Sequence, residues 1–137
     1  MEKVKKHLLW IVPIMGFLIA TAHFLATKYF WYWTFDSTDL IMHGFTGYWA
    51  FLTLILFSII WFKKIKLETV LLSAIALTVL IGIFWEIFEY TFHLVEFSSK
   101  YPMDTLTDLI MDTIGGSLAW YTFEMFVNKD KKACLQK

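Results

Sequence analysis

The chain has 137 residues, of which 58% are hydrophobic, 20% aromatic and only 18% charged, with a mean hydropathy of +0.60. Small soluble domains expose too much surface to be that apolar and carry about 25% charged residues, and a disulfide scaffold is excluded because Cys134 is the one cysteine. Twelve Lys and no Arg balance six Asp and six Glu to a formal charge of zero, so no basic field exists to hold nucleic acid.

Four apolar stretches are long enough to cross a bilayer core, which takes about 20 helical residues. They are Leu8–Thr27, Leu40–Phe62, Thr69–Phe92 and Thr105–Val127. The first follows Lys3, Lys5 and Lys6, and its small residues Ala20, Ala22 and Ala26 also fit a signal sequence. The length of its apolar region favours a retained span. The run FWYWTF from Phe30 to Phe35, with Trp10, Trp61 and Phe62, falls where interfacial aromatics are expected. Lys63, Lys64 and Lys66 separate the second and third spans, and Lys129, Lys131, Lys132 and Lys137 follow the fourth. Only Lys28 and Lys100 occupy the other two loops, a split of ten lysines against two. The positive-inside rule therefore places both termini and the loop 63–66 in the cytoplasm. No stretch alternates strictly, as a membrane barrel would require. The expected fold is all-α, an integral membrane bundle of four transmembrane helices forming one domain over residues 1–137. Short connections make consecutive helices antiparallel neighbours.

Within this frame the acids are misplaced. Eight of the twelve fall in the outer half: Asp36, Asp39, Glu86, Glu89, Glu96, Asp104, Asp108 and Asp112. Asp104, Asp108 and Asp112 succeed one another every four residues, a stripe that descends about 12 Å along one helix face. Glu86, Glu89 and His93 in WEIFEYTFH also share a face, as do Asp39 and His43 at the start of the second span. His23 falls at a similar depth on the first. A charge at mid-bilayer costs at least about 2.5–3.5 kcal/mol, so these groups must face the interior and find partners. With only Lys28 and Lys100 nearby, either a divalent cation offsets their repulsion, since carboxylate and imidazole ligands suit Zn, Mn, Mg or Fe, or some of the carboxyls stay protonated.

Blander roles compete for some of these residues. Asp39, after Ser37 and Thr38, and Asp104, after Pro102, fit simple complements to a helix start. His23, alone on an apolar face, reads as a hydrogen-bonded packing residue, and Asp36 and Glu96 as solvated loop charges. Gly44 and Gly47 on the second span, with Gly115 and Gly116 on the fourth, mark close helix packing. The core of the expected site is Glu86, Glu89, Asp108 and Asp112 as catalytic and metal-binding carboxylates with His43 as a further ligand. Asp39, His93, Asp104 and His23 are secondary candidates. Zinc-protease, phosphate-loop and nucleophile-elbow motifs are all absent from the sequence.

The order Asp39-xxx-His43 in DLIMHG, Glu86-xx-Glu89 in WEIFEY, and Asp108-xxx-Asp112-xx-Gly115 in DLIMDTIGG resembles the VanZ-like small membrane proteins and their YjdF-like relatives. The likeness covers roughly the last three spans. Glu89 stands where a Gln is common in VanZ-like proteins, and Asp112 where an Asn is common. Both departures look more like the YjdF-like branch. Gly47 replaces the Tyr one turn beyond the His. The resemblance implies a bacterial cytoplasmic-membrane protein with a role in the cell envelope, in a family linked to glycopeptide tolerance.

Two function classes fit. One is a metal-assisted enzyme of the outer leaflet, acting on a lipid headgroup or a lipid-linked envelope precursor. The other is a binding or transport module whose carboxyl cluster recognises a cationic or polyhydroxylated ligand. An assembly factor whose polar layer only fixes helix register is a weaker third. Membrane lipids are the partners each reading shares.

Overall fold

The computed structural model describes the backbone of residues 2–35, 37–61, 67–92 and 101–135. It is all-α: α1 (Glu2–Lys28), the single turn α2 (Trp31–Thr34), α3 (Ser37–Trp61), α4 (Leu67–Phe92) and α5 (Tyr101–Leu135). Each expected span falls inside one long helix, save Phe62, which lies outside the described residues. Among the described residues, three segments are long and apolar enough to cross a membrane: Glu2–Lys28, Ser37–Trp61 and Leu71–Phe92. The 35-residue α5 is not among them, because Asp104, Asp108, Asp112 and Glu124 lower its apolarity.

Glu2 in the first turn of α1 and Lys28 in its last complement the helix dipole. Beyond Lys28 the chain reverses at Phe30, whose φ of 60° puts a bulky residue in the left-handed region. The Phe30 carbonyl then accepts from the amides of Trp33 and Thr34, forming α2. This turn was not expected; the aromatic run reads from sequence only as an interfacial belt.

The interior divides into two layers. Val4, Leu8 and Val12 of α1, spaced by four, meet Phe51, Leu52 and Ile55 of α3 and Ala119, Phe123 and Val127 of α5 in a dry core. This core lies at the end of the bundle that holds the start of α1 and the later turns of α5. The buried polar residues His43, Glu86, Asp108 and Asp112 lie toward the other end. Outside, large apolar side chains such as Trp10, Phe17, Leu72 and Phe84 are strongly exposed. A soluble protein would expose no such continuous apolar surface, but hydrocarbon solvates it.

Helix α3 is central and touches each other long helix. Its tightest neighbour is α5, which does not follow it in sequence. A Cβ on Gly115 would strike the Gly44 carbonyl, and one on Gly47 would come 2.7 Å from Asp112 Cα. The glycines thus let the two backbones touch where the polar layer begins. Tyr48 and Thr122 hydroxyls, 2.8 Å apart, continue this seam. On the opposite side, the Trp49 indole lies against Gly16 and donates to the Val12 carbonyl at 2.8 Å, pinning α1 to α3. No Cα of α1 approaches one of α4 within 8 Å among the described residues.

Candidate functional site

Three helices build the polar layer. Asp39 and His43 lie one turn apart at the start of α3, Glu86 and Glu89 on the last turns of α4, and Asp108 and Asp112 one turn apart on α5. The α3–α5 contact at Gly47 brings His43 beside Asp112, because each lies one turn or less from that contact. His43 Nδ1 is 3.3 Å from Asp112 Oδ2, and His43 Nε2 is 3.8 Å from Asp39 Oδ1. Asp108 and Asp112 retain 3% of their exposure, and His43 and Glu86 7%. These are ionisable side chains committed to the interior.

Within that layer, Asp39, His43 and Asp108 each offer one ligand atom, all within 4.8 Å of one another, in an arrangement able to hold a metal. Ligands at 2.0–2.2 Å from a tetrahedral ion stand about 3.3–3.6 Å apart, a spacing that the 3.8 Å His43–Asp39 pair nearly meets. Closing all three on an ion takes a contraction of up to about 1.5 Å. The Asp112 contact directs Nδ1 of His43 away from the group and leaves Nε2 toward it, as a carboxylate–histidine–metal relay requires. Among the described residues, Asp108 Oδ1 is buried with no hydrogen-bond partner. An unpaired carboxylate oxygen costs at least about 1–3 kcal/mol, so a ligand at this point would relieve a real penalty.

The remaining candidates separate by environment. Glu86 accepts a 2.7 Å hydrogen bond from Thr105 on one oxygen and has the other buried and unpartnered among the described residues. Glu89 is half-buried one turn nearer the end of α4. Asp104 is exposed in the first turn of α5, the position of a dipole complement. Asp39 also sits in the first turn of its helix, yet it belongs to the ligand group as well. His23 packs edge-on to Trp85, with its Nδ1 2.7 Å from the Tyr32 hydroxyl. His93 lies outside the described residues.

Thr105 and Tyr32 were not expected at the site. Thr105 is three residues before Asp108, so the helical period could have placed it on the acidic stripe. Tyr32 is carried by α2, for which the sequence holds no glycine or proline signal. Burial, reinforced by the carboxylates of Asp39 and Glu89, pushes its phenol up to about 12.

Beside the cluster lies a cavity of about 280 Å³, with Asp39, His43 and Asp112 at its polar end and Ile19, Ala50 and Ile81 along its apolar walls.

Comparison with known families places these features in context. The profile of the predicted membrane proteins designated DUF2238 matches residues 3–129. No curated protein and no solved structure gives a match. The chain belongs to the DUF2238 family of predicted membrane proteins.

Proposed function

We propose that this DUF2238 protein is a four-span protein of the bacterial cytoplasmic membrane that binds a divalent cation near its outer face and uses it on a lipid headgroup or lipid-linked envelope precursor. Asp39, His43 Nε2 and Asp108 are the ligands, and Asp112 orients His43. The observation that carries the reading is the buried, unpartnered Asp108 oxygen on a residue whose carboxylate joins an Asp and a His within 4.8 Å. Three protein ligands leave positions open, the pattern of catalytic rather than structural sites. A cation there would polarise a substrate oxygen or lower the pKa of a bound water. Glu86, with one oxygen held by Thr105 and the other free, is the candidate general base.

The lysine split supports the orientation, with both termini cytoplasmic and the cluster outward. As the fourth span, α5 rests on its 35-residue length and on the burial of Asp108 and Asp112 against α3 and α4. The motif order of Asp39, His43, Glu86, Glu89, Asp108 and Asp112 supports a relation to VanZ-like and YjdF-like proteins, and through it an envelope role.

Elemental analysis of full-length protein purified without chelator tests the metal. Wild type should carry about one Zn, Mn, Mg or Fe ion per chain, and Asp108→Asn and His43→Ala should each lose most of it. Wild-type protein that is metal-free and gains no thermal stability from added divalent ions would refute the reading.

A further inference from the structure

The cavity next to the cluster has an unusual wall. Its α1 side runs from Gly16 to His23 and its α4 side from Thr78 to Trp85, yet these two helices nowhere approach within 8 Å at their Cα atoms among the described residues. The rings of His23 and Trp85, 6.5 Å apart between centroids, reach across at the polar end. Ile81 and Trp85 line the cavity and are also 42% and 41% exposed, so the space opens sideways between α1 and α4. Phe17 and Phe84, next in sequence to the lining residues Gly16 and Trp85, are strongly exposed. In a membrane the slot faces hydrocarbon.

We infer that one alkyl chain of a membrane lipid enters sideways between α1 and α4 and seats its headgroup-proximal half in this cavity, with its headgroup at Asp39, His43 and Asp112. Shape and polarity single out this occupant. Seven residues of helix on each side give a length of about 10 Å along the bundle axis. One end is acidic and the other apolar, which is the polarity of an amphiphile. A space of about 280 Å³ is small for a two-chained lipid and falls at the low end of ligand pockets. A partner helix, about 10 Å across with its side chains, is too wide for it. Water is disfavoured along the apolar walls, since such cavities stay dry. The lipid reading of the preceding subsection enters only in what the headgroup meets; the seating of the chain does not need a metal.

The test uses the full chain in nanodiscs of phosphatidylethanolamine and phosphatidylglycerol, doped with a phosphatidylethanolamine, whose ammonium suits the acidic end, carrying a photoactivatable diazirine on one acyl chain. Adducts are mapped by peptide mass spectrometry, and metal is measured on the same samples. Adducts at Ile19 and Ile81 should saturate at low probe fraction, while those at outward Phe17 and Leu72 rise in proportion to it. Ala20→Phe, which fills the cavity from α1, should cut the saturable adducts at least about fivefold, the lower end of what overpacking imposes, and leave the outward ones unchanged. Ile81→Trp narrows the slot from α4 and should reduce the Ile19 adducts likewise, should Ala20→Phe fold poorly. Non-saturating adducts at Ile19 and Ile81, or full labelling in both variants, would overturn the inference. Saturable labelling of metal-free protein would sink the metal proposal and sustain this one, whereas bound metal without saturable labelling would do the reverse.

Discussion

Replacing Gly47 by Ala tests whether the α3–α5 contact sets the geometry of the cluster. The new methyl would lie 2.7 Å from Asp112 Cα and 2.8 Å from its carbonyl carbon, both backbone atoms that cannot rotate away. The Asp112 carbonyl oxygen would lie closer still, so relief requires the helices to part by at least about 0.7 Å, the shortfall of the Cα from ordinary contact at 3.4 Å. Transmitted one turn along α3, that movement stretches the 3.3 Å His43–Asp112 contact to about 4 Å, beyond hydrogen-bonding range. Overpacking of this kind costs about 1–3 kcal/mol. Gly44→Ala is the internal control, because its methyl would meet only the flexible end of Met111 at 3.4 Å. Both changes gain the same helix propensity, about 0.8–1.0 kcal/mol, so their difference isolates the steric cost. Thermal melts of the purified proteins, followed by circular dichroism at 222 nm, should place Gly47→Ala below Gly44→Ala by roughly 2–12 °C. Coincident melting curves would refute the claim that backbone contact at Gly47 holds the two helices in register.

Four further outcomes can be measured. Cys134 should resist a membrane-impermeant maleimide in intact cells and react after lysis; labelling before lysis would reverse the orientation. Asp112→Asn should fold and melt no lower than wild type in chelator, yet weaken metal binding about 10–100-fold by loosening the orientation of His43; unchanged affinity in a metal titration would remove Asp112 from that role. Glu86→Gln should likewise melt no lower, since it replaces a buried carboxyl that has one oxygen unpartnered among the described residues, and unfolding of the variant in chelator would instead mark Glu86 as part of a structural network. The Tyr32 phenol, raised from 10 to about 12, binds its proton more tightly folded than unfolded, so its contribution to stability is complete below pH 10 and is lost as pH rises toward 12. Tyr32→Phe should therefore flatten the alkaline decline in stability over that window, measured by chemical denaturation; an unaltered slope would contradict the burial of the phenol.

Much of the polar layer was legible because a helix repeats every 3.6 residues. The spacing of Asp108 and Asp112, and of Asp39 and His43, fixes each pair to one face whatever surrounds it. Periodicity says nothing about how far one helix is rotated or slid against its neighbour. That is why Asp39 reads as a helix-start residue, although the register set at Gly47 and Gly115 also turns it into the ligand group. The same limit concealed the primacy of the α3–α5 seam over the consecutive pairs. Glycine positions pointed to close packing, but not to which helix each would meet. The reversal at Phe30 left no trace, because a phenylalanine at φ 60° is chosen by its surroundings and not by its own preference.

The modest apolarity of α5 bears on how the protein comes to exist in a membrane at all. A segment carrying Asp104, Asp108, Asp112 and Glu124 has little reason to leave water by itself. Its acids become tolerable only against α3, whose glycines admit its backbone and whose His43 meets Asp112. On the four-span reading, α5 is admitted by the helices made before it, and a chain that stops short of it lacks both Asp108 and Asp112. Synthesis of α5 is then also the step that assembles the cluster.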